Sequence, residues 1–283
     1  MADILRGAPV AAAITEGLAD RAAKLRVQGT EPCLAVLRVG ARPEDLSYER
    51  TIFRCCEQVG IHVLPFLLPA DCTQAALTAE IAKVNADTRI HGCLIFQPLP
   101  PHLDGQAAAE TLAPCKDVDC MTSASLLTVF TGRGEGFAPC TAQSCMELLD
   151  YYGIDPAGKH AVVIGRSLVV GKPVSMMLQA RDATVTMCHS KTRNLPDICR
   201  QADILIAAAG RAGMVDAGFV RPGQVVIDVG VSVAPEGDIC GDVLFDEAEP
   251  MVKAISPVPG GVGTVSVAVL CKHVIEAAEK ATE

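Results

Sequence analysis

The sequence predicts an α/β protein of two domains, each built on a parallel sheet. Short apolar runs alternate with segments of helical periodicity, which favours parallel strands joined by right-handed helical crossovers. The chain has 283 residues, of which 50% are hydrophobic, and this is enough to fill two cores. A strand, a glycine turn and the start of a helix follow one another near residue 165. This last pattern indicates that the second domain is a Rossmann-type dinucleotide-binding domain.

The first half of the chain predicts a small α/β domain. Helices are expected over residues 10–25, 43–59 and 73–85, with Thr73 as an N-cap, and strands over residues 32–40, 61–67 and 91–96. Pro65 lies within the second strand, which predicts a weakened strand or a position at the sheet edge. A charged, irregular segment over residues 114–120 and a glycine-rich loop over residues 131–136 precede the junction. We therefore place the first domain at residues 1–140, with a closing helix over residues 265–283 packing back on it.

The second domain, residues 141–264, carries the nucleotide-binding pattern. Gly165 would relieve the tight turn after the strand, Gly171 would allow close approach, and Pro173 suits a first helical turn. Unpaired N–H groups at a helix start attract phosphate groups. The spacing departs from G-x-G-x-x-G, so an ordinary strand-to-helix connection is an alternative at this point.

The residues after the second strand of this domain favour NADP over NAD. About twenty residues beyond the first glycine, an NAD-specific site places a carboxylate for the ribose 2′-OH. Here the chain offers Ser190 and Lys191 instead, with Arg166 in the first loop. These groups suit a 2′-phosphate, although NAD stays possible. Later apolar runs end near Gly210 and Val231, where a cofactor would lie against the backbone.

Composition excludes several other classes of function. The net charge of −9 leaves no basic stripe for nucleic acid. No apolar run is long enough to cross a bilayer and no signal peptide is visible, so we expect a cytoplasmic protein without a membrane partner. The 13 cysteines form no C-x-x-C pairs. They predict reduced, mostly buried thiols rather than a metal site or a disulfide framework.

Several segments together resemble the methylenetetrahydrofolate dehydrogenase/cyclohydrolase family. They occur in family order along almost the whole chain, and they are Tyr48, the Pro-Leu-Pro of residues 98–100 with His102, Lys-Asp-Val-Asp at 116–119, Pro-Cys-Thr at 139–141, residues 163–173, residues 188–192 and the glycine-rich loop 257–263. The resemblance implies a folate site between the domains and a homodimer. It also implies an enzyme that passes a hydride from 5,10-methylenetetrahydrofolate to the nicotinamide.

The resemblance also implies site residues. Asp119 would bind the amino group and ring N–H of the pterin, as a carboxylate binds arginine. Tyr48 would stack on the pterin or donate a hydrogen bond, although a packing role is nearly as well supported. Further substrate contacts would come from Pro98, Leu99, Pro259 and Gly260, and the loop from Pro259 would meet the nicotinamide carboxamide. Cofactor contacts would come from Gly165, Arg166, Ser167, Gly171, Ser190, Lys191, Gly210, Val231 and Gly261.

Two catalytic positions depart from the family pattern. Ile52 stands where the family has its lysine, one helical turn after Tyr48, and Phe96 stands where it has a glutamine. A smaller departure is Cys120, which replaces the usual glycine. Hydride transfer depends mainly on orientation, whereas hydrolysis of the methenyl product needs proton transfer. We therefore predict a dehydrogenase with weak or absent cyclohydrolase activity. The alternatives are a fully bifunctional enzyme, a silent folate- or nucleotide-binding protein, and a dehydrogenase of another small substrate.

Overall fold

The computed structural model describes residues 1–234 and 237–282 and divides into two compact units. The N-terminal unit comprises Ala12–Cys140 and Val267–Glu283, and the C-terminal unit comprises Met1–Ala11 and Thr141–Ser266. This division puts residues 1–11 with the C-terminal unit, whereas the predicted boundary puts them in the first domain. Strand β1 (Asp3–Ile4) pairs in parallel with β11 (Ala254–Ile255), and this long-range pairing places the first residues in the C-terminal unit.

The N-terminal unit contains a three-stranded parallel sheet in the order β3-β2-β4. Its elements are most of α1 (Gly7–Val27), β2 (Cys33–Val39), α2 (Pro43–Val59), β3 (His62–Leu68), α3 (Gln74–Ala86), β4 (Gly92–Ile95), α4 (Gly105–Ala109), α5 (Ser123–Thr131) and most of α10 (Val262–Lys280). All seven residues of β2 are buried, as expected of a central strand. Pro65 lies in the edge strand β3, and Thr73 Oγ1 accepts the N–H of Ala76 at 3.2 Å, so both local predictions are confirmed.

The stretch between the two predicted domains is more ordered than its sequence suggested. Residues 114–116 form a short 3₁₀ turn, and α5 follows with Thr122 as its N-cap. The Thr122 hydroxyl accepts the N–H of Ser125 at 3.1 Å. Helix α5 was missed because it is short and exposes the large apolar side chains Leu127 and Phe130, which hides its periodicity.

The C-terminal unit contains a six-stranded parallel sheet in the order β1-β11-β8-β7-β5-β6. Its other elements are α6 (Cys140–Tyr151), β5 (His160–Ile164), α7 (Gly171–Gln179), β6 (Thr184–Cys188), α8 (Leu195–Arg200), β7 (Ile204–Ala207), β8 (Val225–Asp228) and α9 (Phe245–Ala248), with a separate antiparallel pair of β9 (Ser232–Val233) and β10 (Ile239–Cys240). The predicted fold class is confirmed. No helix in the described ranges is both long and apolar enough to cross a membrane.

Candidate active site

The strand order of the C-terminal unit creates a crevice for a ligand. The chain passes from β5 outward to β6 and then returns to β7 on the other side of β5. Ligands of open parallel sheets bind where the order reverses in this way, beyond the carboxyl ends of the strands. Gly165 follows β5 at this point with a φ of 131°. A Cβ on Gly165 would lie 2.1 Å from the carbonyl oxygen of Ala208, so a side chain would force the two loops apart.

A cavity of about 350 Å³ occupies this crevice. It brings together four of the predicted cofactor residues, which are Gly165, Arg166, Ser167 and Ser190. Its lining also includes polar residues that are not among the predicted cofactor contacts, namely His189 and Thr192 of the segment 188–192, and Arg211. The two arginine side chains can supply positive charge to an anionic ligand.

Other predicted cofactor residues do not line this cavity. The lining of this cavity does not include Lys191, which is exposed and donates its backbone N–H to His189 Nδ1 at 3.1 Å. Gly210 and Val231 are exposed beyond the ends of their strands. Gly171 has a packing role, because a Cβ there would lie 2.3 Å from the carbonyl oxygen of Gly165.

The first N–H groups of α7 have partners within the protein. Ser167 Oγ accepts the N–H groups of Val170 at 3.1 Å and Gly171 at 3.4 Å. The backbone carbonyl of Ser167 accepts the N–H of Lys172 at 3.0 Å. The expectation that these N–H groups are unpaired was wrong, because a serine in the turn satisfies them. An anion in this crevice would therefore have to be bound by other groups, such as the two arginine side chains.

A buried carboxylate that the sequence analysis missed holds one wall of the crevice. Asp242 accepts the backbone N–H groups of Ala209, Gly210 and Arg211 at 2.6, 3.0 and 2.7 Å. Asp242 itself is fully buried. Because hydrogen bonds to a charged acceptor are stronger than neutral ones, this arrangement fixes the loop that follows β7.

A second buried carboxylate, Asp228 at the end of β8, supports the first. It accepts the backbone N–H groups of Asp242 at 3.1 Å, Val243 at 2.9 Å and Gly230 at 3.0 Å. Burial raises the pKa of Asp228 to about 6, although these hydrogen bonds oppose the rise. An aspartate closing the apolar run of residues 224–228 was the sequence signal available for this role.

The glycine-rich loop near residue 260 is fixed by its own backbone. Gly260 has a φ of 101°, and its carbonyl accepts the N–H of Gly7 at 2.8 Å. The carbonyl of Gly261 accepts the N–H of Thr264 at 3.1 Å. Both predicted contact residues thus have structural partners, and Pro259 precedes them. Their contact with substrate or cofactor stays a prediction.

In the N-terminal unit, the segment 116–119 divides its residues between support and binding. Lys116 Nζ donates to the carbonyls of Val84 and Asp87 at 2.7 Å and of Asn85 at 3.1 Å, which satisfies the C-terminal end of α3. Asp117 is fully buried and accepts the backbone N–H groups of Met121 and Thr122, each at 2.8 Å. Lys116 and Asp117 therefore have structural roles.

Asp119 is the partly exposed carboxylate of this segment. Its Oδ1 accepts the backbone N–H of Cys140 at 3.2 Å. Burial raises the pKa of Asp119, while hydrogen bonds from Cys140 oppose the rise. The next residue, Cys120, has a φ of 59°, a left-handed conformation that explains why glycine suits this position. The segment thus turns sharply after Asp119, which stays partly exposed.

Tyr48 lies beside an apolar surface. Its ring centroid is 5.7 Å from that of Phe96, and the side chain is 42% exposed. Burial of the hydroxyl, followed by the charge of Asp119, raises the pKa of Tyr48. Ile52 is fully buried and Phe96 is 5% exposed. Neither side chain can donate or accept a proton.

The polar side chain of the turn after β4 is hydrogen-bonded within that turn. Gln97 is exposed, and its Oε1 accepts the N–H of Leu99 at 3.2 Å. Leu99 packs against the core of this unit, whereas Pro98 is exposed. His102 Nε2 lies 2.9 Å from the carbonyl oxygen of Cys72, which gives it a structural partner. The Gln97 side chain thus caps its own turn.

Comparisons with known proteins agree with this architecture. Residues 5–119 match the family model described as the tetrahydrofolate dehydrogenase/cyclohydrolase catalytic domain, and residues 139–282 match its NAD(P)-binding domain. The chain is 50% identical over 281 residues to the bifunctional protein FolD of Carboxydothermus hydrogenoformans, covering 99% of this chain and 98% of that protein.

Solved structures show the same likeness. The bifunctional enzyme FolD of Campylobacter jejuni has a TM-score of 0.96 and 38% identity, covering 99% of both chains. The methylenetetrahydrofolate dehydrogenase-cyclohydrolase of Trypanosoma brucei, solved with NADP and an inhibitor, has a TM-score of 0.93 and 36% identity, covering 100% of this chain and 99% of that one. The chain therefore belongs to the tetrahydrofolate dehydrogenase/cyclohydrolase family.

Proposed function

We propose that this protein oxidises 5,10-methylenetetrahydrofolate to 5,10-methenyltetrahydrofolate with NADP, and that it hydrolyses the methenyl product weakly or not at all. The weak or absent hydrolysis is supported by the apolar surface beside Tyr48. Ile52 and Phe96 are buried there, at the positions where the family resemblance implies an amine and an amide. Family membership supports the first part.

Substrate binding is assigned to Asp119 and Tyr48. A carboxylate can accept the pterin amino group and its neighbouring ring N–H together, and such charge-assisted pairs fix orientation as well as affinity. The partly exposed ring of Tyr48 offers a stacking surface that Phe96 holds in place. Orientation of two carbon centres and exclusion of water are the main requirements of hydride transfer, and these side chains supply the first of them.

Cofactor binding is assigned to the crevice after β5 and β7. Bound NADP would supply the nicotinamide carbon that accepts the hydride. The crevice fits such a molecule, because Gly165 lets the two loops lie close together and Arg166, Arg211 and Ser190 offer groups for a phosphate. The NADP seen in the Trypanosoma brucei relative is consistent with this assignment.

Hydrolysis of the methenyl cation needs a water molecule and a group that moves its proton. General acid–base assistance contributes about a hundred- to ten-thousand-fold to such reactions. Ile52 and Phe96 cannot provide it, and the oxygen of the exposed Gln97 side chain is occupied by the N–H of Leu99. A fully bifunctional enzyme is the second candidate, because curated relatives carry the name bifunctional. In that case another group near Tyr48 must move the proton.

A time course of methenyltetrahydrofolate absorbance tests the proposal. The purified protein is incubated with 5,10-methylenetetrahydrofolate and either NADP or NAD, and then with the methenyl compound alone. We expect methenyl product to accumulate faster with NADP, and its hydrolysis to match the buffer blank. Enzyme-catalysed hydrolysis would instead establish the bifunctional candidate, and no turnover with either nucleotide would indicate a silent binding protein.

The family resemblance also supports a cytoplasmic homodimer. Size-exclusion chromatography with light scattering would test its oligomeric state.

A further inference from the structure

Three cysteines of the N-terminal unit form a thiol cluster, which consists of Cys55, Cys56 and Cys271. Cys55 and Cys56 lie on α2, and Cys271 lies on α10. The Sγ atoms of Cys271 and Cys55 are 3.5 Å apart, and those of Cys271 and Cys56 are 3.9 Å apart. The cluster joins two helices that are more than 200 residues apart in sequence.

The three thiols differ in access and reactivity. Cys55 is partly exposed, whereas Cys56 and Cys271 are fully buried. Cys271 donates its S–H to Cys55, which lowers the pKa of Cys55 and raises the pKa of Cys271. The thiolate is the reactive form of cysteine. Cys55 therefore combines the access and the acidity of an attacking thiol, with a second thiol in contact with it.

We propose that Cys55 and Cys271 form a reversible disulfide when the protein meets a hydroperoxide. A disulfide has an S–S distance of about 2.05 Å, so the two sulfur atoms must approach by roughly 1.5 Å. Side-chain rotation on two neighbouring helices supplies movement of this size. Cys56 is a poorer partner, because its sulfur is farther from Cys271 and no solvent reaches it.

The alternatives within the cluster are less favourable. Consecutive residues of a helix point about 100° apart, since the helix has about 3.6 residues per turn, so Cys55 and Cys56 cannot pair without breaking α2. Among the described residues, no group of three or more histidine, cysteine or acidic side chains is arranged to hold a metal ion. Oxidation is thus the chemistry that this geometry favours.

The reaction balances with hydrogen peroxide as the oxidant. The Cys55 thiolate attacks one peroxide oxygen, the O–O bond breaks, and hydroxide leaves to become water, which gives a sulfenic acid on Cys55. The sulfur of Cys271 then attacks the Cys55 sulfur, the S–O bond breaks, and a second water leaves with the Cys271 proton. Two thiols are oxidised to one disulfide, and one peroxide is reduced to two waters. A dithiol reductant reverses the change.

Peptide mapping of the full-length protein tests this inference. The folded protein is treated with a slight excess of hydrogen peroxide, its remaining thiols are alkylated in denaturant, and the digest is analysed by mass spectrometry without reduction. We expect a peptide that links Cys55 to Cys271 and disappears after dithiothreitol treatment. Cys115 is exposed and serves as the internal control for general oxidation.

Variants separate the proposed pair from its neighbours. We expect Cys56→Ser to keep the cross-link, and Cys271→Ser to convert the product to a sulfenic acid on Cys55 that dimedone traps. Oxidation of Cys115 before Cys55, with no cross-linked peptide in the unmodified protein, would overturn the proposal. A cross-link from Cys271 to Cys56 in place of Cys55 would overturn it too. Both results are read on the unmodified sequence and do not depend on the folding of a variant.

Discussion

Replacing Asp242 by asparagine tests whether the buried carboxylate controls cofactor binding. In the structure its two oxygens accept three backbone N–H groups, from Ala209, Gly210 and Arg211. Asparagine keeps one acceptor oxygen and replaces the other with an NH₂ group. If the amide oxygen takes the place of Oδ2, the NH₂ group faces the N–H of Arg211, and two donors then meet.

The magnitude follows from these contacts. One charge-assisted hydrogen bond is lost, at about 1.5–3 kcal/mol, and two others become neutral bonds of about 0.5–1.5 kcal/mol each. Removal of the Asp242 charge also relieves its repulsion of Asp228, which offsets a part of the loss. We expect a net loss of about 3 kcal/mol. The loosened loop must be ordered again when the cofactor binds. We therefore expect about half of this free-energy loss to reduce the binding free energy of NADP, which corresponds to roughly a tenfold higher Kd.

The assay compares the Kd of NADP, the KM values and the thermal midpoint of Asp242→Asn with those of Asp203→Asn. Asp203 is a matched control, because it also accepts a backbone N–H, that of His160 at 3.0 Å, but it lies at the opposite end of the sheet. We expect both variants to lower the thermal midpoint and Asp242→Asn alone to weaken NADP binding, with little change in the KM for folate. Equal effects of the two variants on NADP affinity would refute the reasoning.

Three other perturbations have defined outcomes. Ile52→Lys combined with Phe96→Gln should raise the rate of methenyl hydrolysis at least tenfold by restoring proton transfer. The absorbance assay measures this rate, with Ile52→Met combined with Phe96→Leu as the apolar control. An unchanged rate in a folded Lys/Gln variant would contradict the role of these positions. Asp119→Asn should raise the KM for folate about ten- to a hundredfold, as expected for the loss of a charged hydrogen-bonding pair, while the KM for NADP stays constant. Steady-state kinetics with each substrate varied in turn would test this, and an equal rise in both KM values would contradict a specific role in folate binding. Because the pKa of Asp228 is raised from 3.8 to about 6, the folded state binds this proton more tightly than the unfolded state and loses up to about 3 kcal/mol of stability as the pH rises from about 4 to about 6. Urea unfolding at both pH values should show a smaller pH dependence in Asp228→Asn than in the unmodified protein. An unchanged pH dependence would assign the effect to other groups.

Local signals allowed much of the fold to be predicted from the sequence. Helix α2 begins and ends at the predicted residues, because a proline opens it and Gly60 ends it in a left-handed conformation. The edge position of Pro65 and the cap by Thr73 follow from the chemistry of single residues. Pairing of β1 with β11 could not be predicted in this way, because it depends on residues about 250 positions apart.

The candidate site was predictable to a smaller extent. Arg166 and Ser190 were predicted from the side chains that a phosphate site requires after the first two strands, and both line the cavity; their contact with the cofactor stays a prediction. Asp242 and Arg211 were not predicted. They lie 31 residues apart in sequence, and no periodic pattern links a loop to the distant carboxylate that supports it. The prediction that the N–H groups at the start of α7 are free was also wrong, because Ser167 accepts them. A cap that lies inside an irregular turn has no fixed spacing by which the sequence could reveal it.

Lys116 links the end of helix α3 to Asp119, the carboxylate that we propose binds the folate. Its ammonium group satisfies three carbonyls at the C-terminal end of α3, and three residues later the same segment presents Asp119. Fraying of that helix end would release the lysine and with it the short segment that orients the carboxylate. Folate affinity should therefore report the local opening of α3 on warming, at temperatures where the rest of the protein is still folded.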